Sequence, residues 1–308
     1  KKTHLSGSLL WQPIQKNRSI LRLKRLPKWL NSLEEYLTEM EKVVFITGVS
    51  SGFGRETARL LAEKGYIVYG TIRRQADVPP GVQSVFMDLA NPDSIRKAVE
   101  TVKQKENRID ILINNAGMHT GGPIETIPEE FIRLQMETNF TGMVILIREV
   151  LPVMRKQGGG MIINFSSIGG LMGLPFQGFY SASKFAIEGF SEVLRMEVKQ
   201  FNIKVVVINP GDFHTGNTSN RRKYLAPTDE NDPYNRQYTI TLSKIEADET
   251  NGWDPVILAK KILKITEKKN PSYRYIIGSF DQKLSVYLKR ILPEKWFGKI
   301  LESYYHIK

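Results

Sequence analysis

The residue types best suited to chemistry lie between Ser167 and Lys184, in the sequence SIGGLMGLPFQGFYSASK. Tyr180 and Lys184 are four residues apart, so on a helix the phenol and the ammonium share one face, one turn apart. A lysine beside a tyrosine favours the phenolate and lowers the phenol pKa from its usual value of about 10. Such a pair exchanges protons near neutral pH, and the Ser167 hydroxyl can orient a carbonyl oxygen. The same spacing also fits a solvated Tyr/Lys pair on a helix surface. The rest of the sequence therefore has to distinguish a catalytic pair from a solvated one.

Seven apolar runs typical of strands alternate with helical patterns from Val43 onwards. The runs cover residues 43–47, 66–72, 82–88, 109–117, 161–167, 203–211 and 273–278, and the helical patterns cover 55–65, 93–106, 127–157, 180–201 and 254–269. Apolar strands in alternation with helices indicate a parallel sheet covered on both faces. We therefore predict an α/β fold with a doubly wound, Rossmann-type parallel sheet of about seven strands. The polar stretch 212–252 lacks periodicity, and we expect a long loop that serves as a substrate lid.

A glycine cluster follows the first run, with Gly48, Gly52 and Gly54 in TGVSSGFGRETARLL. Glycines let the chain turn tightly, and the N-terminus of the next helix offers free N–H groups and a positive dipole end to a pyrophosphate. A plain strand–helix turn is the alternative interpretation. Because the cluster opens a βαβ series, dinucleotide binding is the favoured one.

The strand after this turn favours NADP(H) over NAD(H). An NAD enzyme of this architecture carries an acidic residue at the end of the second strand, where it binds the ribose 2′-hydroxyl. This chain has Arg73 and Arg74 there and no carboxylate until Asp77. A guanidinium fits a 2′-phosphate with two parallel hydrogen bonds, whereas two solvated surface arginines are the alternative. The Ser51 hydroxyl can add a contact to the same phosphate.

The order of the motifs resembles the short-chain dehydrogenase/reductase family over about residues 42–280. The matching features are the glycine cluster, NNAG at 114–117, Asn139, Ser167, the Tyr180/Lys184 pair and NPG at 209–211. The chain is similar to members that act on steroids and retinoids, and also to bacterial carbonyl reductases. The resemblance implies four catalytic roles. Tyr180 would be the general acid/base, Lys184 would lower its pKa, Ser167 would bind the substrate oxygen, and Asn139 would hold a water of the proton relay.

The same resemblance implies a set of cofactor contacts. Asp88 and Leu89 match the adenine position, Asn115 and Gly117 the adenosine side, Lys184 the ribose of the nicotinamide nucleotide, and Thr215 the nicotinamide carboxamide. Purely structural roles for Asn114, Asn115 and Asn139 remain open at this point. The complete set of expected cofactor residues is Gly48, Ser50, Ser51, Gly52, Phe53, Gly54, Arg73, Arg74, Asp88, Leu89, Asn115, Ala116, Gly117, Tyr180, Lys184, Pro210, Gly211 and Thr215.

The residues just before Tyr180 predict an apolar or mixed substrate such as a steroid, retinoid or lipid carbonyl. Leu171, Met172, Leu174, Pro175 and Phe176 would line the pocket, or would belong to the core instead. His119 and His214 can reach the pocket rim, although surface or core positions are more common for such histidines. The basic run at 221–223 can attract an anionic substrate or remain a solvated surface segment.

Composition excludes several classes of protein. The chain of 308 residues has no cysteine, and its four histidines are scattered without metal-ligand spacing, so we expect neither disulfides nor a metal site. The net charge of +12 is partly concentrated in the two ends, at 16–28 and 283–299. These basic ends, interleaved with apolar residues, suit a membrane surface, a partner subunit or the protein's own core. They lack a nucleic-acid-binding module, so no nucleic-acid partner is expected.

The predicted organisation has three parts: an N-terminal extension at 1–39, a dinucleotide-binding and catalytic domain at 40–280, and a basic amphipathic segment at 281–308. The start of the sequence lacks the apolar stretch of a signal peptide, and a cytoplasmic protein with possible peripheral membrane contact is expected. The resemblance implies a homodimer or homotetramer formed through the helices within 127–157 and 180–201.

The predicted function is NADP(H)-dependent hydride transfer between nicotinamide and a carbonyl or secondary alcohol. The alternative is a sensor or scaffold that binds NADP(H) without turnover. All four residues of the implied catalytic set are present, which favours the enzyme.

Overall fold

A computed structural model describes residues 42–216, 221 and 231–307 of the chain. The expectations for the extension at 1–39 and for most of the basic run at 221–223 fall outside these residues. The helices are α1 (Gly52–Glu63), α2 (Pro92–Glu106), α3 (Glu129–Met136), α4 (Gly142–Gln157), α5 (Gly178–Val198), α6 (Asn235–Thr250), α7 (Pro255–Thr266), α8 (Phe280–Ile291) and α9 (Glu294–Tyr304). The strands are β1 (Val43–Ile46), β2 (Ile67–Ile72), β3 (Val82–Phe86), β4 (Ile111–Asn114), β5 (Gly160–Phe165), β6 (Ile203–Pro210) and β7 (Arg274–Ile277).

The seven strands form one sheet in the order β3-β2-β1-β4-β5-β6-β7, and every neighbouring pair is parallel. This confirms the predicted doubly wound fold, and each predicted run contains one strand. The order reverses between β1 and β4, which opens a crevice at the carboxyl ends of these two strands. A nucleotide-binding turn after β1 and polar residues after β4 therefore face the same space.

Strand residues alternate between two hydrophobic cores, one on each face of the sheet. Val43 and Phe45 enter the core that α2, α4 and α5 cover, whereas Val44 and Ile46 enter the core beneath α1 and α7. Because both faces are covered, these strands need apolar residues at every position, which explains the continuous apolar runs in the sequence. Each fully buried aliphatic side chain contributes about 1.5–3 kcal/mol to stability.

Two predicted segments fold differently from expectation. The long helix expected at 127–157 is divided, because a π-helical turn at Glu137–Thr141 separates α3 from α4. The polar stretch 212–252 is not a continuous loop, since it contains the 16-residue helix α6. Hydrophobic periodicity missed α6 because its outward faces are polar and only three side chains, Tyr238, Thr241 and Ile245, are buried.

The basic C-terminal segment forms α8 and α9, and their inner sides pack on the chain's own core. Val286 and Phe297 are buried against Ile168 and Met172, which immediately precede the Tyr180 region. Met172 therefore belongs to a core cluster, one of the two interpretations left open by the sequence. In the described ranges, no helix is both long and apolar enough to cross a bilayer. The cellular compartment stays a prediction.

Candidate active site

The main chain determines the shape of the turn after β1, and one asparagine side chain stabilises it. Gly48 has a φ of +74°, which favours glycine, and its N–H donates to Thr71 Oγ1 at 3.1 Å. Asn115 Nδ2 donates to the carbonyls of Thr47 at 2.8 Å and Gly48 at 3.1 Å. Asn115 thus holds the shape of the turn, which is the structural role that the sequence left open.

Gly54 allows the first turn of α1 to lie against the loop. A Cβ atom at Gly54 would lie 2.0 Å from the Gly48 carbonyl oxygen and 2.4 Å from Asn115 Nδ2. Any larger residue would push α1 away from the end of β1. The close approach keeps the α1 N-terminus, with its free N–H groups and positive dipole end, at the mouth of the crevice. Thr215 lies beside the same turn, within 4 Å of where a Cβ of Gly52 would be.

The predicted catalytic residues are close together at the carboxyl end of β5 and the start of α5. The Ser167 hydroxyl and the Tyr180 phenol share a hydrogen bond. Lys184 Nζ lies 5.7 Å from the centre of the Tyr180 ring and donates to the Phe165 carbonyl at 2.9 Å. Ser166 points elsewhere, because its hydroxyl donates to the Lys184 carbonyl at 3.3 Å. The helix spacing has therefore placed the phenol, the ammonium and one serine hydroxyl at a single site.

The electrostatics of the pair differ from the sequence prediction. Burial raises the pKa of Tyr180 above its usual value, and the hydrogen bond with Ser167 opposes that rise. Burial also lowers the pKa of Lys184 to about 8, although the nearby Glu188 carboxylate acts in the opposite direction. The prediction that the lysine gives this phenol a lowered pKa was wrong. Desolvation is the largest influence on the pKa of each group, and it opposes the charged form of both.

Asn139 projects from the π-helical turn into this site. Its Oδ1 accepts from the Met118 N–H at 2.8 Å, and its Nδ2 donates to the Met118 carbonyl at 2.9 Å and to Ser183 Oγ at 3.1 Å. A Cβ at Gly117 would lie 3.2 Å from Asn139 Oδ1 and 3.8 Å from Lys184 Nζ, so glycine leaves the gap between amide and ammonium open. Single π turns within helices are frequent at functional sites. The helical pattern of the sequence contained no signal for this one.

A buried polar network supports Lys184 and Ser167 from behind. Asn209 Nδ2 donates to the Ser167 carbonyl at 2.9 Å and to Glu188 Oε1 at 2.6 Å. The other oxygen of Glu188 accepts from Arg274 Nη2 at 2.5 Å. Glu188 follows Lys184 by one helical turn, so its carboxylate faces the ammonium and stabilises the charged form. The NPG motif at 209–211 was among the features identified in the sequence, whereas Glu188 was not, although it follows Lys184 by four residues.

His119 is another residue, besides Glu188, that the sequence did not assign to the site. Its ring stacks on the Tyr180 ring with centres 4.0 Å apart and planes 17° apart. Arg221 Nε donates to His119 Nδ1 at 3.2 Å, and the same guanidinium forms an ion pair with Glu249 of α6. Burial and the charges of Arg221 and Lys184 hold the pKa of His119 well below its usual value, so the imidazole is neutral. His214, by contrast, is exposed, with Nδ1 3.0 Å from the Thr250 carbonyl.

The remaining expected cofactor residues lie along the same edge of the sheet. Arg73 and Arg74 are exposed directly after β2, and Asp77 is paired with Arg55 of α1 at 2.8 Å. Phe53 packs between aromatic rings of the core. Other positions make local contacts. The Asp88 carboxylate accepts from the Ala90 N–H, and the Ala116 N–H donates to Thr47 Oγ1. The Leu89 carbonyl packs on Gly142, and the Gly211 N–H, just after Pro210, donates to the Ile277 carbonyl. Ser50 and Ser51 are exposed at the turn.

Comparison with known proteins identifies the family. The family model described as short chain dehydrogenase matches residues 42–226. This chain belongs to the short-chain dehydrogenase/reductase family. This short-chain dehydrogenase/reductase is 46% identical over 267 residues to a Bacteroides thetaiotaomicron protein named 3-ketodihydrosphingosine reductase, covering 87% of this chain and 99% of that protein.

Solved structures agree with the assignment. A short-chain dehydrogenase from Streptomyces avermitilis has a TM-score of 0.71 and 30% identity, covering 85% of this chain and 98% of the other. A variant of actinorhodin polyketide ketoreductase, solved with NADPH, has a TM-score of 0.65 and 26% identity, covering 78% and 97%. This short-chain dehydrogenase/reductase is therefore an oxidoreductase whose relatives bind nicotinamide nucleotides.

Proposed function

We propose that this protein is an NADPH-dependent carbonyl reductase that acts on an apolar ketone. The observation that supports this most directly is the meeting of Ser167, Tyr180, Lys184 and Asn139 at one point, beside the glycine turn after β1. A protein that only senses the nucleotide would have no need for a half-buried phenol hydrogen-bonded to a serine. The four residues together are suited to binding a carbonyl oxygen and giving it a proton.

The turn and its neighbours fit a phosphorylated dinucleotide. The close packing of Gly54 on Gly48 leaves room for a pyrophosphate at the N-terminus of α1. Arg73 and Arg74 are exposed after β2, where a 2′-phosphate would lie. The first carboxylate after them in the chain, Asp77, is paired with Arg55, so it adds little repulsion toward that phosphate. When bound there, NADPH supplies the hydride.

The protonation states favour the direction of reduction. Since burial raises the pKa of Tyr180, its phenol is protonated at neutral pH and can donate to a ketone oxygen held by Ser167. Lys184, with a pKa of about 8, is charged in most molecules at pH 7 and can restore the proton to the phenolate. Asn139 and Gly117 leave a polar gap beside Lys184 Nζ through which a water can replenish it.

The substrate we propose is a long-chain 2-amino ketone of the 3-ketodihydrosphingosine type. The relative that carries this name is 46% identical along nearly its full length. In this protein, Asp212 lies among other carboxylates near Tyr180, and burial together with the charges of Glu249 and Asp248 raises its pKa to about 6. An incoming ammonium would relieve this crowding of negative charge, whereas an anionic substrate would increase it. The long chain would pass along the apolar residues that precede Tyr180.

The test is consumption of NADPH, followed by absorbance, with 3-ketodihydrosphingosine as the substrate. Parallel assays replace it with a ketone of equal chain length that lacks the amine, and replace NADPH with NADH. We expect the fastest turnover with the amino ketone and NADPH. The Tyr180→Phe variant should lose about a thousandfold in kcat while it retains NADPH affinity.

Tyr238→Phe is the matched control, because Tyr238 is also a tyrosine inside the fold, and its buried hydroxyl has no hydrogen-bond partner among the described residues. Its kcat should stay close to that of the parent protein. Binding of NADPH without turnover of any ketone would overturn the proposed function in favour of a sensor or scaffold. Equal rates for the two ketones would remove the amino-ketone assignment alone.

We further propose a homo-oligomer that uses α5. Phe185, Val193 and Met196 are exposed by 45%, 50% and 61% on this helix. Phe185 and Met196 are eleven residues apart and therefore lie on the same side. An apolar stripe of this kind is typical of an interface. Sedimentation velocity should give a dimer or tetramer, and Met196→Glu should dissociate it.

A further inference from the structure

The helix α8 has an apolar face on each side. Its inner side contributes Val286 to the cluster with Ile168 and Met172, and the partly buried Leu288 packs against the edge of that cluster. Its outer side carries Phe280, Leu284, Tyr287 and Ile291, which are 80%, 41%, 61% and 57% exposed. Their spacing of four, three and four residues places all four on one stripe of the helix. A helix that only covers the core needs polar residues on this stripe.

The next helix repeats the arrangement. On α9, Phe297 is buried and Leu301 packs beside it, whereas Trp296 and Ile300, one turn apart, are 67% and 45% exposed. A shallow groove along α9 is lined by Leu292, Lys295, Trp296, Lys299 and Ile300. We call the outer stripes of the two helices, Phe280, Leu284, Tyr287, Ile291, Trp296 and Ile300, the outer face. Single exposed apolar residues are ordinary, but a set of six on two consecutive helices indicates an interaction surface.

Basic side chains flank the outer face. Lys283 and Arg290 adjoin the stripe on α8, and Lys295 and Lys299 adjoin the stripe on α9. Arg290, Lys295 and Lys299 form no ion pair with any other described residue, whereas Lys289 is 3.6 Å from Glu294. If the face packed on its own copy about a two-fold axis, each patch would meet itself and the lysines would be close to lysines. The charge therefore favours a partner that is negative and apolar at once.

We propose that the outer face docks on the surface of an anionic lipid bilayer. Trp, Tyr and Phe side chains partition to the boundary between headgroups and acyl chains, and lysines beside them attract the lipid phosphates. The rest of the helix pair is fixed to the site: Gln282 of α8 donates to Asp212 at 2.5 Å, just beyond the end of β6. Docking would thus hold the bilayer against the elements that cover the Tyr180 region. This proposal is independent of the identity of the substrate.

The test is flotation of the full chain with vesicles of phosphatidylcholine alone or of phosphatidylcholine mixed with phosphatidylglycerol. We expect binding to the mixed vesicles that weakens as salt is raised, and weak binding to the neutral ones. The Trp296→Ser/Ile300→Ser variant should lose at least tenfold in vesicle affinity. The Lys295→Gln/Lys299→Gln variant should lose about twentyfold on the anionic vesicles and little on the neutral ones.

Matched controls change equally exposed residues elsewhere. Phe86→Ser, at a residue 63% exposed at the edge of the sheet, and Lys97→Gln/Lys156→Gln on α2 and α4 should leave vesicle affinity unchanged. Circular dichroism and NADPH affinity verify that each variant is folded. Equal flotation of the parent and the outer-face variants would overturn the proposal, because the basic residues before position 40 would then account for binding. If the parent protein does not float with either kind of vesicle, the proposal is overturned. A change in the sedimentation coefficient of the Trp296→Ser/Ile300→Ser variant would then indicate a contact between copies of the chain.

Discussion

The turn between β1 and α1 and the region around Tyr180, which we propose take part in the same reaction, are built in different ways. At the turn, main-chain geometry determines the shape, through the positive φ of Gly48 and the close approach of Gly54. Around Tyr180, side chains from several separated segments determine it, including the Asn209–Glu188–Arg274 network and the stack of His119 on Tyr180. A substitution at the turn should therefore act through sterics, and one near Tyr180 should act through charge.

The largest effect is expected at Gly54. Gly54→Val places atoms within the contact distance of the Gly48 carbonyl, so α1 must shift away from β1. We expect NADPH affinity to fall more than a hundredfold and the free energy of unfolding to fall by about 3 kcal/mol. Fluorescence titration and urea denaturation measure the two quantities. In the control Gly189→Ala, no atom lies within 4 Å of the new Cβ, and stability should rise by about 0.5–1 kcal/mol.

The second prediction concerns Asp212, which belongs to the region around Tyr180 whose shape the side chains determine. Its pKa is raised to about 6 in the folded protein from an ordinary value of 3.8, so the folded state binds more protons than the unfolded state between these values. Stability from this group is present below pH 3.8 and is lost as the pH rises to about 6. Asp212→Asn removes the buried charge, and we expect the free energy of unfolding to rise by about 2 kcal/mol at pH 8.

The gain from Asp212→Asn should vanish near pH 4, where the carboxyl of the parent protein is already protonated. Urea denaturation at the two pH values measures it. A gain that is equal at both pH values would show that packing rather than charge is responsible. Asp254→Asn would not serve as the control for Asp212→Asn. The Asp254 carboxylate caps α7 by accepting from the Val256 N–H, so that substitution would also change a helix cap.

A smaller effect is expected after β2, where the proposed nucleotide site relies on the charges of Arg73 and Arg74. Arg73→Ala/Arg74→Ala should raise the KM for NADPH about tenfold, since an exposed charge-assisted hydrogen bond to phosphate contributes on the order of 1.5 kcal/mol. The KM for NADH should remain unchanged, because that cofactor lacks the 2′-phosphate. Arg148→Ala, which removes an exposed arginine from α4, is the control. Equal losses for both cofactors would show that these arginines have no part in the choice of nucleotide.

The smallest change is expected from Glu188→Gln. The carboxylate raises the pKa of Lys184 against the effect of burial, so its neutralisation should move the basic limb of the kcat–pH profile to lower pH. At pH 8 this means a loss of a few fold in kcat, and at pH 6 little change. The amide retains the hydrogen bond with Asn209, so KM should stay near the parent value. A uniform loss at every pH would indicate a structural effect instead.

Much of the fold followed from local patterns. The alternation of apolar runs and helices predicted all seven strands, because a strand covered on both faces needs apolar residues throughout. The π turn that carries Asn139 could not be predicted, because a single extra residue hardly alters a helical pattern. Helix α6 was missed because it presents a mostly polar surface and buries few side chains.

The sequence by itself determined the strand and helix pattern and the Tyr180/Lys184 spacing, which depend on neighbouring residues, and the order of its motifs indicated the family and the residues expected near Tyr180. The tertiary structure decided three further matters. It gave Tyr180 a raised pKa rather than the expected lowered one, it assigned His119 and Glu188 to the site, and it showed which face of α8 and α9 is inward. These matters depend on burial and on contacts between distant segments, and neither quantity is encoded in the spacing of neighbouring residues.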